Sequence, residues 1–462
     1  MRLYISAAHK SSGKTTVTIG LCAAYTAAGK RVQAFKKGPD YIDPHWLGRA
    51  SGRNCYNLDF YTMGRDEILR CLTLHSQDAD LTLIEGNKGL YDGLDLDGSN
   101  SNAALAALSQ TPVVLVLDAR GMTRGIAPLI LGYQAFDTSV NIAGVILNQL
   151  GGSRHEAKLR SVIEHYTDVR VVGAIHRNPQ FDIDERHLGL VPSHEDPYAD
   201  NKITLLADSV RQQVDMQALL ELGKRAGNLP SPAGSVSGRP ETMPPADVRV
   251  GIIKSSAFGF YYPDDLEAFA RSGAELVSIN AETEASLPAI DGLFIGGGFP
   301  ETHLHSLQAN TAMRDSIRQA IEGGLPAYAE CGGLMYLSRS ITWQEQHAAM
   351  VGAIDADIVM EPRPQGRGYV QLETTAAHLW APAGDAISAH EFHYSRFKQP
   401  PENAKFAFRV KRGTGIDGTH DGYLYKNLLA CYAHQRHTEA NPWVSRFVNF
   451  IRQHKQTQND HD

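Results

Sequence analysis

Short, almost wholly apolar runs alternate with longer amphipathic stretches through the first half of the chain, and this alternation constrains the fold most. The apolar runs predict strands at residues 3–8, 32–35, 81–85, 113–118 and 142–148. The stretches between them predict helices, for example at residues 15–28 and 103–108. Strands that are apolar on both faces are typical of a parallel sheet covered on both sides by helices. The pattern therefore predicts right-handed βαβ units and an open α/β sheet.

A segment rich in Pro, Gly, Ser and Ala at residues 226–246 interrupts this pattern and predicts a linker. After it the pattern restarts, with strands predicted at 248–253, 276–279 and 292–295 and a helix at 263–272. We therefore expect an α/β domain at 1–225, the linker, and a second α/β domain at 247–452. Residues 453–462 are polar and are expected to form a frayed tail.

Composition excludes several classes of protein. The 462 residues include 44 Lys and Arg against 51 Asp and Glu, a net charge of −7 that argues against nucleic-acid binding. No apolar run approaches the roughly 20 residues that span a bilayer, and the N-terminus does not resemble a secretory signal. The five cysteines are odd in number and lack metal-ligand spacing, which favours a reduced, cytoplasmic compartment.

The sequence AAHKSSGKTT at residues 7–16 follows the first strand and opens a helix, which indicates a phosphate-binding loop. In such a loop backbone N–H groups and the helix N-terminus face the phosphates. Lys14 would reach the β- and γ-phosphates, and the Thr15 hydroxyl would ligate Mg²⁺. Gly13 and Thr16 complete the predicted nucleotide site. Ala8 stands where the general motif has glycine, and an ordinary helix start is the alternative.

Two further polar segments follow predicted strands, at residues 36–44 (KKGPDYIDP) and 85–93 (EGNKGLYDG). Ligands of parallel sheets bind at the carboxyl ends of the strands, so Lys36 is expected in the nucleotide site. Glu85 ends an apolar strand, where enzymes with a phosphate-binding loop commonly place an acid for Mg²⁺ or its water shell. The alternative for the acids of these segments is that they form turns and cap helices. That alternative applies to Asp40, Asp43 and Asp92.

The second domain contains a cysteine between an apolar strand and a helix-like run, in LPAYAECGGLM at residues 325–335. A nucleophile on such a turn is exposed, and the helix N-terminus favours its thiolate. Cys331 is therefore the predicted nucleophile, although a lone cysteine is often a core residue.

A base and an oxyanion hole for this thiol are also visible in the sequence. His434 ends another apolar strand and is the predicted base, while spacing leaves His390 and His393 open as alternatives. Gly297 and Gly298, within GGGFPE at 296–301, are expected to donate backbone N–H groups to the oxyanion of a tetrahedral intermediate.

These motifs together carry a family resemblance. The ordered series GKTTVTIGL, KKGPDYIDP, EGNKGLYDG, GGGFPE, AECGGLMYL, HEFHYS and ACYAHQRH resembles the cobyrinate a,c-diamide synthase family over essentially the whole chain. The resemblance implies an ATP-dependent amidoligase domain similar to dethiobiotin synthetase, followed by a class I-like glutamine amidotransferase domain. Within the last motif, Cys431 replaces a serine and Arg436 stands where a second histidine is common.

The resemblance also implies roles for individual residues. Lys14 and Thr15 match the nucleotide and Mg²⁺ site, and Cys331 and His434 match the nucleophile and the histidine that activates it. Acidic positions around the acyl-phosphate chemistry are matched by Asp40, Glu85 and Asp92. A substrate-contacting position is matched by Ile42.

The implied activity is amidation of the a and c acetates of a tetrapyrrole, most simply cobyrinate, with ATP and glutamine as co-substrates. A sirohaem or sirohydrochlorin amidase of the same mechanism is the alternative substrate assignment. A regulatory ATPase that binds a protein partner and carries an inert amidotransferase-like domain is the alternative of a different class. Small molecules are the expected partners, without nucleic acid or membrane, and a homodimer is among the expectations.

Overall fold

The computed structural model describes residues 1–186, 189–232 and 243–459. The chain divides into two compact units, Met1–Arg239 and Pro240–Asp462. Residues 233–242 of the predicted linker and residues 460–462 of the predicted tail lie outside the described residues.

The first unit is built on one parallel sheet of seven strands. Its strands are β1 (Arg2–Ala7), β2 (Val32–Lys37), β3 (Tyr56–Leu58), β4 (Leu81–Glu85), β5 (Val113–Asp118), β6 (Ile142–Leu150) and β7 (Arg170–His176). Their order across the sheet is β3-β2-β4-β1-β5-β6-β7, so β4 and β1 are neighbours near its centre. Every residue of β2 and β4 is buried, as expected for strands covered on both faces.

Helices follow most of these strands, which confirms the predicted α/β class. They are α1 (Lys14–Ala27), α2 (Ile42–Ser51), α3 (Arg65–Ser76), α4 (Asn102–Leu108), α5 (Ile126–Phe136), α6 (Ser153–Tyr166), α7 (Ala199–Gln213) and α8 (Met216–Lys224). A short antiparallel hairpin, β8 (Glu185–Arg186) and β9 (Gly189–Leu190), precedes α7.

The second unit contains a nine-stranded mixed sheet. Its strands, in spatial order, are β12 (Ala274–Ile279), β10 (Val248–Ile253), β13 (Gly292–Ile295), β15 (Ala327–Glu330), β24 (Leu428–Cys431), β23 (His420–Tyr425), β22 (Lys405–Arg412), β19 (Gly366–Thr374) and β20 (Ala386–His393). The first five strands are parallel to one another, and the remaining pairings are antiparallel.

The described residues of this unit also form two smaller sheets and five α-helices. The strands are β11 (Phe258–Phe260) paired with β14 (Gly297–Gly298), and a four-stranded sheet of β16 (Ser338–Trp343), β17 (Gln346–Ala349), β18 (Ile354–Met360) and β21 (Ser395–Phe397). The helices are α9 (Pro263–Arg271), α10 (Leu304–Ala309), α11 (Thr311–Glu322), α12 (Gly332–Leu337) and α13 (Trp443–Asn459).

The C-terminal helix corrects one expectation. Residues after 452 were expected to be frayed, yet α13 continues to Asn459. Lys455 donates to Asp291 Oδ2 at 2.9 Å, and Arg452 forms an ion pair with Asp247. These polar residues hold the end of the helix against the unit, which composition alone does not reveal.

Across the described ranges, the helices are too short or too polar for any of them to cross a membrane.

Candidate active sites

The loop between β1 and α1 has the geometry of a phosphate-binding loop. Gly13 precedes α1 with φ +82°, a left-handed conformation that favours glycine. A Cβ at Gly13 would also collide with the amide nitrogen of Asn148, at the end of β6. That amide donates to the Ser12 carbonyl at 2.9 Å and so fixes the loop against the sheet. Lys14 is the first residue of α1 and is buried.

A buried charged cluster lies beside this loop. Lys36 Nζ donates to Glu85 Oε1 at 2.7 Å and also contacts Asp43 Oδ2. The Thr15 hydroxyl donates to Glu85 Oε1 at 2.6 Å and to Asp43 Oδ2 at 3.1 Å. β2 is next to β4, which brings Lys36 directly opposite Glu85 in the strand register. The predicted nucleotide and metal residues Thr15, Lys36 and Glu85 therefore meet at one point.

The charges in this cluster influence one another strongly. Burial opposes the charge on Lys36, but the carboxylates of Asp43, Glu85 and Asp40 keep its pKa well above the ordinary value. Burial likewise opposes ionisation of Asp43, yet Lys36 holds the pKa of that carboxyl below its usual range. The pKa of Lys14 is lowered by burial and by the neighbouring charge of Lys36.

The oxygen ligands present fit Mg²⁺. Glu85 is fully buried, and its Oε2 has no hydrogen-bond partner within the described part of the chain. That oxygen lies on the same carboxylate that accepts from the Thr15 hydroxyl. The described residues contain no cluster of three or more His, Cys, Asp and Glu side chains that would hold a metal alone. A hydroxyl and one carboxylate suffice where substrate phosphates and water supply the remaining ligands.

Two of the predicted acids act in local structure. Asp40 Oδ1 accepts the backbone N–H groups of Ile42 and Asp43, at 2.9 and 3.1 Å, so Asp40 caps the start of α2. Asp40 is also 3.8 Å from Lys36 Nζ, and its pKa is raised to about 7 by burial and by Asp43. Asp92 is exposed and accepts the N–H of Gly89 at 2.9 Å, as turn-forming aspartates do.

Ile42 begins α2, and Thr16 lies in the first turn of α1. Ile42 is the first residue of α2, is 8% exposed, and lies near Gly189 of β9. Thr16 lines a cavity of about 290 Å³ together with Asn148, Gln149 and Arg177. This cavity adjoins the first turn of α1.

Cys331 occupies a sharp turn between β15 and α12. Its φ of 47° is unusual for a residue with a side chain and marks local strain at a turn. The turn is held in place because the Cys331 N–H donates to the Cys431 carbonyl at 2.8 Å, at the end of the adjacent β24. This is the strand-turn-helix placement predicted for a nucleophile.

Glycines allow the loop before α10 to approach this turn closely. A Cβ on Gly332, next to Cys331, would lie 2.9 Å from the backbone nitrogen of Gly298. A Cβ on Gly297 would lie 2.6 Å from Cε1 of His434. The glycine pair of β14 thus adjoins both the Cys331 turn and the predicted base. The N–H of Gly296 is already engaged, because it donates to the Tyr261 hydroxyl at 3.0 Å.

The structure separates the three candidate bases by position. His434 is buried, and its backbone pairs with that of His390, whose ring stacks on the His434 ring at a centroid distance of 4.9 Å. His393 instead stacks on Tyr432 at 3.9 Å, and its Nδ1 lies 2.8 Å from the Ser395 carbonyl. The contact with Gly297 makes His434 the strongest candidate of the three.

One expectation for the thiol is wrong. Cys331 is 6% exposed rather than open to solvent, and burial raises the pKa of its thiol, with further contributions from Glu301 and Glu330. A hydrogen bond from the Gly332 N–H lowers that pKa, but its effect is outweighed. α12 has only six residues, so its N-terminus offers limited stabilisation to a thiolate.

Sequence reasoning missed one buried group at this site. Glu330 is 2% exposed, and its Oε2 lies 3.4 Å from Nδ1 of His434. Its other oxygen accepts the Tyr328 hydroxyl at 2.7 Å and the Gln435 N–H at 2.8 Å. The available signal was an acid ending an apolar strand directly before the predicted nucleophile.

Comparison with known proteins matches each half of the chain to a known domain family. Residues 5–191 match the CobQ/CobB/MinD/ParA nucleotide binding domain, and residues 249–442 match the CobB/CobQ-like glutamine amidotransferase domain.

Three relatives each carry the name cobyrinate a,c-diamide synthase. The protein of Magnetococcus marinus is 45% identical over 98% of this chain and 97% of its own length. That of Methanosarcina acetivorans is 40% identical over 94% and 92%, respectively, and that of Methanosarcina barkeri is 38% identical over 98% and 96%. The chain belongs to the cobyrinate a,c-diamide synthase family.

Proposed function

We propose that the protein amidates the a and c acetate carboxylates of cobyrinate, using ATP for activation and glutamine as the nitrogen source. The observation that carries this proposal is full-length similarity to the named synthases, in a chain that keeps both Lys14 and Cys331. Each half of the reaction is assigned to one unit of the structure.

In the second unit, Cys331 attacks the side-chain amide carbon of glutamine. His434 accepts the thiol proton and passes it to the departing ammonia, leaving a glutamyl thioester that water hydrolyses to glutamate. Backbone N–H groups near Gly297 and Gly298 would stabilise the negative oxygen of the tetrahedral intermediate. The strained turn at Cys331 would hold the sulfur in place for this attack.

In the first unit, an acetate oxygen attacks the γ-phosphorus of ATP, giving an acyl phosphate and ADP. A free carboxylate is a poor electrophile, and the acyl phosphate supplies a good leaving group. Ammonia then attacks the carbonyl carbon and phosphate departs, leaving the amide. The same steps repeat on the second acetate.

The residues around the loop suit phosphoryl transfer. Lys14 at the start of α1 would neutralise charge on the transferring phosphoryl group, since electrostatic stabilisation dominates such steps. Mg²⁺, held by Thr15 and Glu85, would add positive charge to the ATP phosphates when bound. The cavity beside Thr16 would accept the nucleoside. Lys36 favours the ionised form of Asp43 and holds Glu85 in place by a hydrogen bond, and Ile42 would contact the tetrapyrrole.

Ammonia is expected to pass from one site to the other without release into bulk water. At neutral pH most free ammonia is protonated and not nucleophilic, so release would slow the second step. Glutamine-driven synthesis should therefore persist when an ammonium-scavenging enzyme is present in excess. Loss of product under those conditions would refute sequestered transfer.

The decisive experiment supplies purified protein with ATP, Mg²⁺, glutamine and a tetrapyrrole. Cobyrinate should be converted through a monoamide to a diamide, detected by mass spectrometry, with one ADP and one glutamate formed per amide. Hydrogenobyrinate, sirohydrochlorin and sirohaem serve as matched alternatives at equal concentration. Faster conversion of sirohaem than of cobyrinate would replace the substrate assignment, and ATP hydrolysis without glutamate formation would overturn the ligase assignment.

The remaining expectations from sequence stay predictions. We infer that the protein acts on small molecules in the cytoplasm and does not bind nucleic acid. A homodimer is to be tested by sedimentation of the full chain.

A further inference from the structure

Nothing in the sequence motifs assigns a group that orients the imidazole of His434. Hydrolases with a nucleophile and an imidazole base fix that base through its second ring nitrogen, which sets the tautomer and the ring orientation. The residue two positions after the histidine, Arg436, is a cation and cannot accept a hydrogen bond. Arg436 is instead paired with Asp264 at 2.6 Å.

A carboxylate reaches His434 from the neighbouring strand. Glu330 Oε2 lies 3.4 Å from His434 Nδ1, within ion-pair distance but not aligned as a hydrogen bond in this structure, and the two side chains are 3% and 4% exposed. Contacts of this kind tighten when substrate binds. His390 also packs on the imidazole, but a stacked ring does not determine which nitrogen carries the proton.

The carboxylate is itself held firmly. Its Oε1 accepts the Tyr328 hydroxyl and the Gln435 N–H, at 2.7 and 2.8 Å. Glu330 directly precedes Cys331, and Gln435 directly follows His434. One side chain therefore connects the residue before the nucleophile with the residue after the base.

We propose that Glu330 is the positioning residue of the glutaminase site: it accepts a hydrogen bond from Nδ1–H of His434 and thereby leaves Nε2 free to take the thiol proton. This inference rests on the proposed glutaminase activity. No bond to Glu330 is made or broken, and its proton count does not change during the reaction.

Glu330→Gln is a discriminating test because of the two donors on Oε1. The amide oxygen of glutamine must face Tyr328 and Gln435, so its NH₂ group faces Nδ1 of His434. A donor at that position forces Nδ1 to accept and places the proton on Nε2, the wrong tautomer for a base. In a serine protease, the corresponding change from carboxylate to amide lowers kcat by about 10⁴.

The expected result is a fall of about 10²- to 10⁴-fold in kcat for glutamine hydrolysis, with less than a threefold change in KM for glutamine. Synthesis with added ammonium salt should be unchanged, because it does not need the thiol. Tyr328→Phe is the matched control, since it removes one donor to the same carboxylate but keeps the charge, and its kcat should fall less than tenfold.

Three outcomes would overturn the proposal. The first is a glutaminase kcat for Glu330→Gln within twofold of the original protein. The second is an equal loss of glutaminase kcat in Tyr328→Phe and Glu330→Gln, which would show that the hydrogen bonds to Glu330 Oε1 matter and the charge of its carboxylate does not. The third is loss of ammonia-driven synthesis in Glu330→Gln, which would indicate a role in folding. If the unchanged protein itself lacks glutaminase activity, the proposed function fails first, and this result is distinct from the other three.

Discussion

Replacement of Lys36 by methionine would test the buried charged cluster of the first unit. Lys36 Nζ lies 2.7 Å from Glu85 Oε1 and 3.8 Å from Asp40 Oδ2, and it also contacts Asp43. The side chains of Lys36 and Glu85 are 2% and 0% exposed, so water and salt screen their attraction only slightly. Methionine has a similar length but no charge, and it leaves the carboxylates without their cation.

The expected magnitude follows from these distances. Two unit charges 2.7 Å apart attract by about 6 kcal/mol at an effective dielectric constant of about 20. Burial opposes the charge on Lys36, yet its pKa is raised, because the attraction of the carboxylates exceeds the cost of burial. Removing one partner of such a pair costs about 3–5 kcal/mol. We expect Lys36→Met to lower the free energy of unfolding of the first unit by that amount.

The pH of the measurement follows from the direction of the pKa shift. A lysine whose pKa is raised on folding contributes its full stability below the unfolded pKa of about 10.4 and loses it as pH rises through the folded value. The contribution of Lys36 is therefore complete at pH 7. The pKa of Asp43 is lowered on folding, so its contribution is lost in acid, as pH falls below about 3.9 towards the folded value.

Hydrogen exchange of the full chain measures this loss locally. Amides of β2 and β4 should exchange about 10²- to 10⁴-fold faster in Lys36→Met at pH 7, while those of β15 in the second unit stay unchanged. The matched control is Arg31→Met, because Arg31 directly precedes β2 and forms an ion pair with Asp80 at 3.0 Å in which both side chains are exposed. This control should change exchange little. Unchanged protection of β2 and β4 in Lys36→Met would refute the view that attraction outweighs burial in this cluster.

Three further predictions test which half of the reaction depends on each site. Cys331→Ala should abolish glutamine-driven synthesis and retain synthesis with ammonium salt, and loss of both would assign the thiol to folding or to the ligase step. Glu85→Gln should lower synthesis with either nitrogen source by about 10²-fold or more, with glutaminase activity retained, and full turnover would remove Glu85 from the metal site. Gly13→Ala should lower ATP-dependent synthesis and destabilise the first unit by about 1–2 kcal/mol, because the backbone φ at this position is +82°. Unchanged ATP binding, measured by calorimetry, would contradict a phosphate-binding role for this loop.

The predictable part of the fold is the part made of buried parallel strands. The apolar runs at β4, β5, β10 and β13 have the bounds expected from sequence. The antiparallel strands between α12 and β24 were not predicted. β19, for example, alternates between buried and less buried residues over 370–374, and it pairs with β20, the next strand of the chain, and with β22. Such strands lack the continuous apolar run that marks a buried parallel strand.

The sequence predicts which strand ends carry the candidate site residues. Lys36 and Glu85 in the first unit and Cys331 in the second each lie at the carboxyl end of an apolar strand, where α/β folds carry ligands and nucleophiles. Their partners were not predictable, because pairing depends on strand order. That Lys36 lies opposite Glu85 follows from the adjacency of β2 and β4, which are separated by β3 in sequence.

The burial of the thiol explains why orientation of the base matters. Burial raises the pKa of Cys331, and the carboxylates of Glu301 and Glu330 raise it further. At neutral pH the sulfur is therefore protonated in the free protein, so the thiolate must form by transfer of its proton to His434 as glutamine is attacked. A carboxylate directly before the nucleophile disfavours the thiolate but stabilises the imidazolium that this transfer creates. Glu330 therefore opposes the thiolate at the sulfur and favours the imidazolium at the ring. Loss of glutaminase activity in Glu330→Gln would show that its effect on the imidazole of His434 is the larger of the two.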